Sequence, residues 1–142
     1  MTRLSAEAEK LIREEGERAY PDECCGLLIG ADGADGARSV SAALPVENAR
    51  VEGERGRRFA IGPDDFMRGE AAARRMGMGV VGVYHSHPDH PETPSEYDRE
   101  RALPYYSYII VAVEKGRSAA LGSFLLAPDR SGFLREPLET EA

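Results

Sequence analysis

The sequence is poor in several residue types on which whole classes of protein depend. Its 142 residues include no tryptophan, only two cysteines and only three histidines. The cysteines, Cys24 and Cys25, are neighbours, and disulfide geometry is hard to reach between adjacent residues. We therefore predict two reduced thiols in a buried strand, with no disulfide bond to stabilise the chain.

Basic residues are also fewer than acidic ones. The chain has 18 basic and 25 acidic residues, a net charge of −7, whereas a nucleic-acid-binding protein needs a basic face that displaces counterions from phosphates. No apolar run approaches the roughly 18 residues that a membrane-spanning helix requires. The first residues mix acids and bases at helical spacing, unlike a secretory signal. We expect a cytoplasmic protein without nucleic-acid or membrane partners.

The pattern of apolar residues predicts alternating helices and strands in one domain. Helices are expected over residues 4–19, 62–77 and 95–102, the second bounded by start and stop signals. Strands are expected over residues 24–29, 40–46, 58–61, 80–85, 106–113, 119–126 and 133–137. This order predicts a mixed α/β or α+β sheet with helices packed on it. We expect a single domain over residues 1–137 and a frayed acidic tail over residues 138–142.

All three histidines lie between residues 85 and 90, where an apolar strand meets Pro88. Side chains alternate along a strand, so His85 and His87 share one face with Cβ atoms roughly 7 Å apart. Two imidazoles leaning toward a shared point can each place a nitrogen roughly 2.0–2.1 Å from one zinc ion. Ordinary surface histidines are the simpler alternative, but a carboxylate farther along the chain favours a metal site.

Two ligand sets are compatible with this pair of histidines. The stretch HSHPDH fits H-x-H-x-D-H, the signature of the metallo-β-lactamase superfamily, with Asp89 and His90 as additional ligands. Such sites use further histidines, which this chain does not contain. The other set adds Asp98 from the motif S-x-x-D and leaves a fourth position open for water, as in catalytic zinc sites. Ser95 and Asp98 also form a helix capping box, and a capping serine can still donate to an oxyanion.

A site that activates water also needs a carboxylate close to the water but not bound to the metal. Spacing alone cannot choose one among 25 acidic residues. Glu23 directly precedes the apolar run CCGLLI, and carboxylates beside a core strand are uncommon unless they are paired or used. The residues alone therefore make Glu23 one candidate for this carboxylate.

Three stretches together resemble the JAMM/MPN+ (Mov34/MPN/PAD-like) zinc metalloprotease family, in particular its short bacterial branch. They are PDECCGLLIG around Glu23, VVGVYHSHP, and TPSEYD. The resemblance implies a curved mixed sheet flanked by helices, similar to cytidine deaminases. It also implies one zinc ion per chain, bound by His85, His87 and Asp98, with Glu23 as the general base and Ser95 as the donor to the oxyanion.

The same resemblance implies a peptide or isopeptide bond after the Gly-Gly tail of a ubiquitin-like protein as the substrate. Short bacterial relatives are linked to sulfur carriers of cysteine biosynthesis, so we expect a ubiquitin-like sulfur carrier as the partner. Residues 47–58 form either a substrate flap or a plain connection. The alternatives are a non-catalytic MPN scaffold and a metallo-β-lactamase-like hydrolase. A deaminase fits less well, because deaminases use a C-x-x-C pair and the two cysteines of this chain are adjacent. The oligomeric state is open.

Overall fold

The structure, a computed structural model, describes residues 1–49 and 59–141. Within these ranges the chain forms three helices and eight strands. The helices are α1 (Ala6–Ala19), α2 (Pro63–Arg75) and α3 (Glu96–Arg101). The strands are β1 (Thr2–Leu4), β2 (Cys25–Asp32), β3 (Arg38–Val46), β4 (Gly79–Pro88), β5 (Ser107–Glu114), β6 (Arg117–Leu126), β7 (Phe133–Glu136) and β8 (Leu138–Thr140). No helix in the described ranges is long and apolar enough to cross a membrane.

The strands form one mixed sheet in the order β7-β6-β5-β4-β2-β3-β1-β8. At its centre, β4 pairs antiparallel with β2 and parallel with β5. Cys25 at the start of β2 is opposite His85 near the end of β4. This register brings Glu23, two residues before Cys25, level with the last residues of β4.

The C-terminal strands connect the two edges of the sheet. β7 pairs with β6 at one edge and, after Pro137, β8 pairs with β1 at the other. The sheet is therefore curved and nearly closed. The predicted frayed tail is wrong for residues 138–140, because their backbone extends the sheet beside β1 and Leu138 packs against the core.

Apolar side chains cover both faces of the sheet, so successive core residues of one strand belong to different clusters. Leu28 and Tyr84 belong to a cluster that includes α1 residues, whereas Leu27 and Val83 belong to a second cluster with residues near α2 and α3. Because the side-chain period of a strand is two residues, His85 and His87 lie on the same face as Val83. The histidine pair therefore continues the apolar face that α2 and α3 cover.

Two predicted elements differ from the structure, one on each face of the sheet. Leu4 belongs to β1 rather than to the first helix, because the Ser5 side chain caps α1 by accepting a hydrogen bond from the Ala8 N–H. The strand predicted over residues 58–61 is wrong for residues 59–61, and residue 58 lies outside the described residues. There Ala60 bonds to the 48–49 loop through both its N–H and its carbonyl.

Candidate metal centre

Three potential ligand atoms converge at the end of β4. The Nε2 atoms of His85 and His87 lie 3.1 Å apart, and each lies 3.2 Å from Oδ2 of Asp98. Within the described ranges, this is the single cluster of at least three His, Cys, Asp or Glu side chains able to share a metal ion. The structure therefore brings together the three residues that the sequence selected as a ligand set.

The donor set fits a zinc ion. Two imidazole nitrogens and one carboxylate oxygen are typical zinc ligands, and ligand atoms around a tetrahedral zinc ion lie roughly 3.3 Å from one another. All three side chains are buried, with His85 1 %, His87 7 % and Asp98 8 % exposed. Buried lone pairs that point at one another are unfavourable unless a cation or protons lie between them.

Neighbouring groups orient the two imidazole rings. Nδ1 of His87 lies 2.8 Å from the carbonyl oxygen of Pro91, which requires a proton on Nδ1 and leaves the Nε2 lone pair directed at the cluster. The ring of His85 stacks on Phe59, with 4.4 Å between centroids. Its Nδ1 is buried and has no hydrogen-bond partner among the described residues. Packing rather than a hydrogen bond therefore fixes the His85 ring.

The start of α3 fixes Asp98. Ser95 is the N-cap, its hydroxyl accepts a hydrogen bond from the Asp98 N–H, and the Ser95 N–H donates to Oδ2 of Asp98 at 2.9 Å. Burial alone would raise the pKa of Asp98, but the adjacent imidazoles of His85 and His87 and the hydrogen bond from the Ser95 N–H hold that pKa well below its usual range. Asp98 is therefore an anion that can bind a cation, and the Ser95 hydroxyl keeps its own proton to donate.

Glu23 is a buried carboxylate beside this cluster, with only 5 % of its surface exposed. Burial raises its pKa to about 7, although the nearby charges of His85 and His87 oppose the shift. No described residue forms a hydrogen bond with its carboxylate, whereas the Asn48 amide donates to its backbone carbonyl. Glu23 is thus held by its backbone while its carboxylate has no hydrogen-bond partner.

Ser86, between the two histidines, is a residue that sequence reasoning missed. Its hydroxyl accepts a hydrogen bond from the Cys24 N–H at 2.8 Å, and its own N–H donates to the Cys24 carbonyl. The pair of bonds extends the contact between β4 and β2 beyond Cys25 and so positions Glu23. A small hydroxyl residue inside H-x-H is the feature of the sequence that could have indicated this role. The pattern does not reveal its partner, which is sixty-two positions away.

The alternative ligand set is not assembled. Asp89 has a positive φ of 56°, and its carboxylate accepts hydrogen bonds from the Tyr20 hydroxyl and the Lys115 N–H. His90 is exposed. Neither residue takes part in the cluster, which removes the metallo-β-lactamase interpretation. Cys24 and Cys25 are free and buried, as predicted, and burial raises the pKa of the Cys24 thiol to about 11.

Comparison with known proteins identifies the family. Residues 5–122 match the family described as prokaryotic homologs of the JAB domain. The chain belongs to this family. It is 38 % identical over 122 residues to a desampylase of Haloferax volcanii, covering 82 % of this chain and 84 % of that protein. The predicted JAMM/MPN+ family and its hydrolase class are confirmed.

Solved structures agree with the fold. A protein of Desulfitobacterium hafniense has a TM-score of 0.85 at 27 % identity, with 99 % of this chain and 93 % of that chain covered. A JAB1/MPN domain protein of Archaeoglobus fulgidus has a TM-score of 0.61 at 23 % identity, with 99 % of both chains covered. The predicted single-sheet α+β fold is confirmed.

Proposed function

We propose that the protein is a zinc-dependent hydrolase that cleaves the peptide or isopeptide bond after the Gly-Gly tail of a ubiquitin-like protein. The observation that carries this proposal is the convergence of two imidazole nitrogens and one carboxylate oxygen beside Glu23, a buried carboxylate to which no described residue donates a hydrogen bond. His85, His87 and Asp98 would hold one zinc ion per chain. A zinc ion with an open position supplies a Lewis acid and makes a bound water far more acidic.

Glu23 is the general base in this proposal. Its carboxylate accepts a proton from the attacking water and returns it to the leaving amine. A base works best when its pKa is near the working pH, and burial raises the pKa of Glu23 to about 7. Because no residue in the described ranges donates a hydrogen bond to this carboxylate, its oxygens are available for both proton transfers.

Ser95 is the donor to the oxyanion. Its oxygen already accepts the Asp98 N–H, so the hydroxyl proton can point toward the substrate. A donor that is fixed before the reaction stabilises the negative charge that develops on the carbonyl oxygen. The N-cap position fixes Ser95 next to a ligand, which matches this role.

The substrate assignment rests on the similarity to a desampylase and on the resemblance of the motifs. A ubiquitin-like sulfur carrier is our preferred partner, in the cytoplasm. The complete ligand set argues against a non-catalytic scaffold. The proposed flap, residues 47–58, lies outside the described residues from position 50 onward; Asn48, at its start, contacts the Glu23 backbone.

A direct test is to incubate the zinc-loaded protein with ubiquitin-like sulfur carriers that bear C-terminal extensions after Gly-Gly. Mass spectrometry of the products should show carriers that end in Gly-Gly. The same protein treated with a chelator should be inactive and should recover when zinc is returned. The Glu23→Gln variant is the matched control for contaminating proteases. Intact extensions on every carrier, with zinc bound to the protein, would contradict the proposal.

A further inference from the structure

A cavity of about 280 Å³ opens beside the metal centre, and Glu23 is not among the residues that line it. Its walls include five aromatic rings, and His85 and Asp98 form part of its lining. We call it the aromatic pocket. The rings belong to Phe59, Phe66, Tyr97, Tyr106 and Tyr108. The pocket is therefore continuous with the cluster of ligand atoms and is not a separate surface feature.

The size and chemistry of the aromatic pocket suit one large apolar side chain. Pockets for small molecules start at roughly 300 Å³, and a water molecule occupies roughly 30 Å³ in the liquid. Beyond the metal-centre residues, the charged group in the lining is Arg101, whose guanidinium lies over the Tyr97 ring at 4.5 Å. Leu103 at the rim is 50 % exposed. Filling this space with an apolar side chain would remove that apolar surface from water.

The position of Glu23 decides which part of a substrate faces the pocket, if the proposed function holds. Glu23 hands its proton to the leaving amine, so the leaving group must lie on the Glu23 side. That side has its own cleft, which Glu23 lines together with Asp22 and Glu47. The acyl part of the substrate must then leave the ligand atoms by another route, and the aromatic pocket, which His85 and Asp98 line and Glu23 does not, offers one.

Side chains alternate in direction along an extended substrate, and this alternation determines which substrate residue can enter the aromatic pocket. The two glycines before the cleaved bond have no side chain to fill a pocket. In an extended segment, residues two apart point to the same side, so the residue before the two glycines faces the enzyme as the last glycine does. We propose that the aromatic pocket binds the side chain of the substrate residue immediately before Gly-Gly and selects a large apolar side chain there.

The test compares peptides that differ only at this position. Acetyl-Ala-Ala-Xaa-Gly-Gly amides of a fluorogenic amine, with Phe, Leu, Ala or Asp as Xaa, give kcat/KM. The corresponding Gly-Gly acids give Kd by calorimetry on the zinc-loaded Glu23→Gln variant, independently of turnover. Phe or Leu should be favoured over Ala at least roughly tenfold in either measurement, because each buries apolar surface that Ala lacks.

Two exposed leucines provide a matched pair of enzyme variants. Leu103→Asp places a carboxylate at the rim and should lower the Phe-to-Ala ratio at least roughly threefold, because an entering apolar side chain would strip its hydration. Leu134→Asp changes a leucine on β7 that is 62 % exposed and outside the pocket. The ratio of this variant should equal that of the parent.

The outcomes separate this inference from the proposed function. If Gly-Gly substrates are cleaved but neither kcat/KM nor Kd depends on Xaa, the inference is wrong and the proposed function stands. An equal loss of the ratio in both leucine variants would also overturn it, since the effect would not come from the pocket. If no Gly-Gly substrate is cleaved at all, the proposed function fails and the inference fails with it.

Discussion

Two glutamates are buried to almost the same extent, yet their surroundings differ completely. Glu136 on β7 is 8 % exposed and Glu23 is 5 % exposed. Glu136 accepts hydrogen bonds from three buried hydroxyls: those of Thr2 at 2.9 Å, Ser107 at 2.9 Å and Ser123 at 2.7 Å. Since these donors belong to three different strands, Glu136 holds the closing edges of the sheet together.

Among the residues that the structure describes, none donates a hydrogen bond to the Glu23 carboxylate, and the nearby charged groups are His85, His87 and Asp98. Buried polar groups are normally hydrogen-bonded, so an exception calls for an explanation. Under the proposed function, this contrast distinguishes a structural carboxylate, Glu136, from a reactive one, Glu23. Both side chains are buried, but within residues 1–49 and 59–141 hydrogen-bond donors surround the carboxylate of Glu136 and none bonds to that of Glu23.

The largest expected effect comes from removing a ligand beside Glu23. His87→Ala deletes one of three donors, and we expect loss of both stoichiometric zinc and turnover, because two remaining ligands cannot hold the ion tightly. Metal analysis after dialysis and the carrier cleavage assay measure the two quantities. His90→Ala is the control: it removes an exposed histidine that lies outside the cluster. Stoichiometric zinc in His87→Ala would count against the site.

The second prediction concerns a substitution that removes only the negative charge of Glu23. Glu23→Gln keeps the size of the side chain and spares all three ligands, so zinc content should be unchanged. Turnover should fall by roughly 10²–10⁴-fold, the usual contribution of a general base. Measurements of kcat together with zinc content decide the point. A variant as fast as the parent would mean that another group moves the proton.

The same substitution should stabilise the metal-free protein at higher pH. Burial raises the pKa of Glu23 from its ordinary 4.5 to about 7. The folded state therefore binds more protons than the unfolded state in this window, and the stability of the parent falls as pH rises through it. Urea unfolding of chelator-treated proteins should show the variant gaining stability relative to the parent from about pH 4.5 to about pH 7, with a constant difference above.

A smaller effect is expected at Ser95, which caps α3 and is the proposed donor to the oxyanion. Ser95→Ala should lower kcat by about 10²-fold through loss of one oxyanion donor, and should cost about 0.5–2 kcal/mol of unfolding free energy through loss of the N-cap. Ser95→Asp keeps a capping acceptor, but an ionised carboxylate cannot donate. Turnover should be low in both variants, while thermal unfolding should show the larger loss in Ser95→Ala. Full turnover in either variant would mean that Ser95 caps the helix but does not donate to the oxyanion.

The sequence predicted the parts of this site that depend on local periodicity. His85 and His87 follow from the two-residue period of a strand, and Asp98 follows from a helix-start motif. Glu23 could be selected only through the family resemblance, because nothing in its local spacing relates it to the histidines. Its position depends on the register of Cys25 against His85, a contact between strands far apart in the chain.

Other features escaped prediction because they depend on long-range contacts. β8 is a strand only because β1 offers it a free edge on the far side of the sheet. A short polar segment such as Leu138–Thr140 has no strand pattern of its own. The role of the Ser86 hydroxyl similarly depends on Cys24, a distant residue that directly precedes β2. The aromatic pocket combines residues from loops, helices and strands that no single periodicity relates.

Glu136→Gln is the matched counterpart of Glu23→Gln and should have the smallest effect on catalysis. The amide can accept fewer of the three hydroxyl hydrogen bonds, and bonds to a charged acceptor are about twice as strong as neutral ones. We expect a loss of about 1–3 kcal/mol in unfolding free energy, with unchanged zinc content and kcat at temperatures where the variant is folded. Urea unfolding and the cleavage assay on the same preparation measure both. Equal loss of turnover in the two glutamine variants would show that donor count does not separate structural from reactive carboxylates here, since only Glu23 lies beside the ligand atoms.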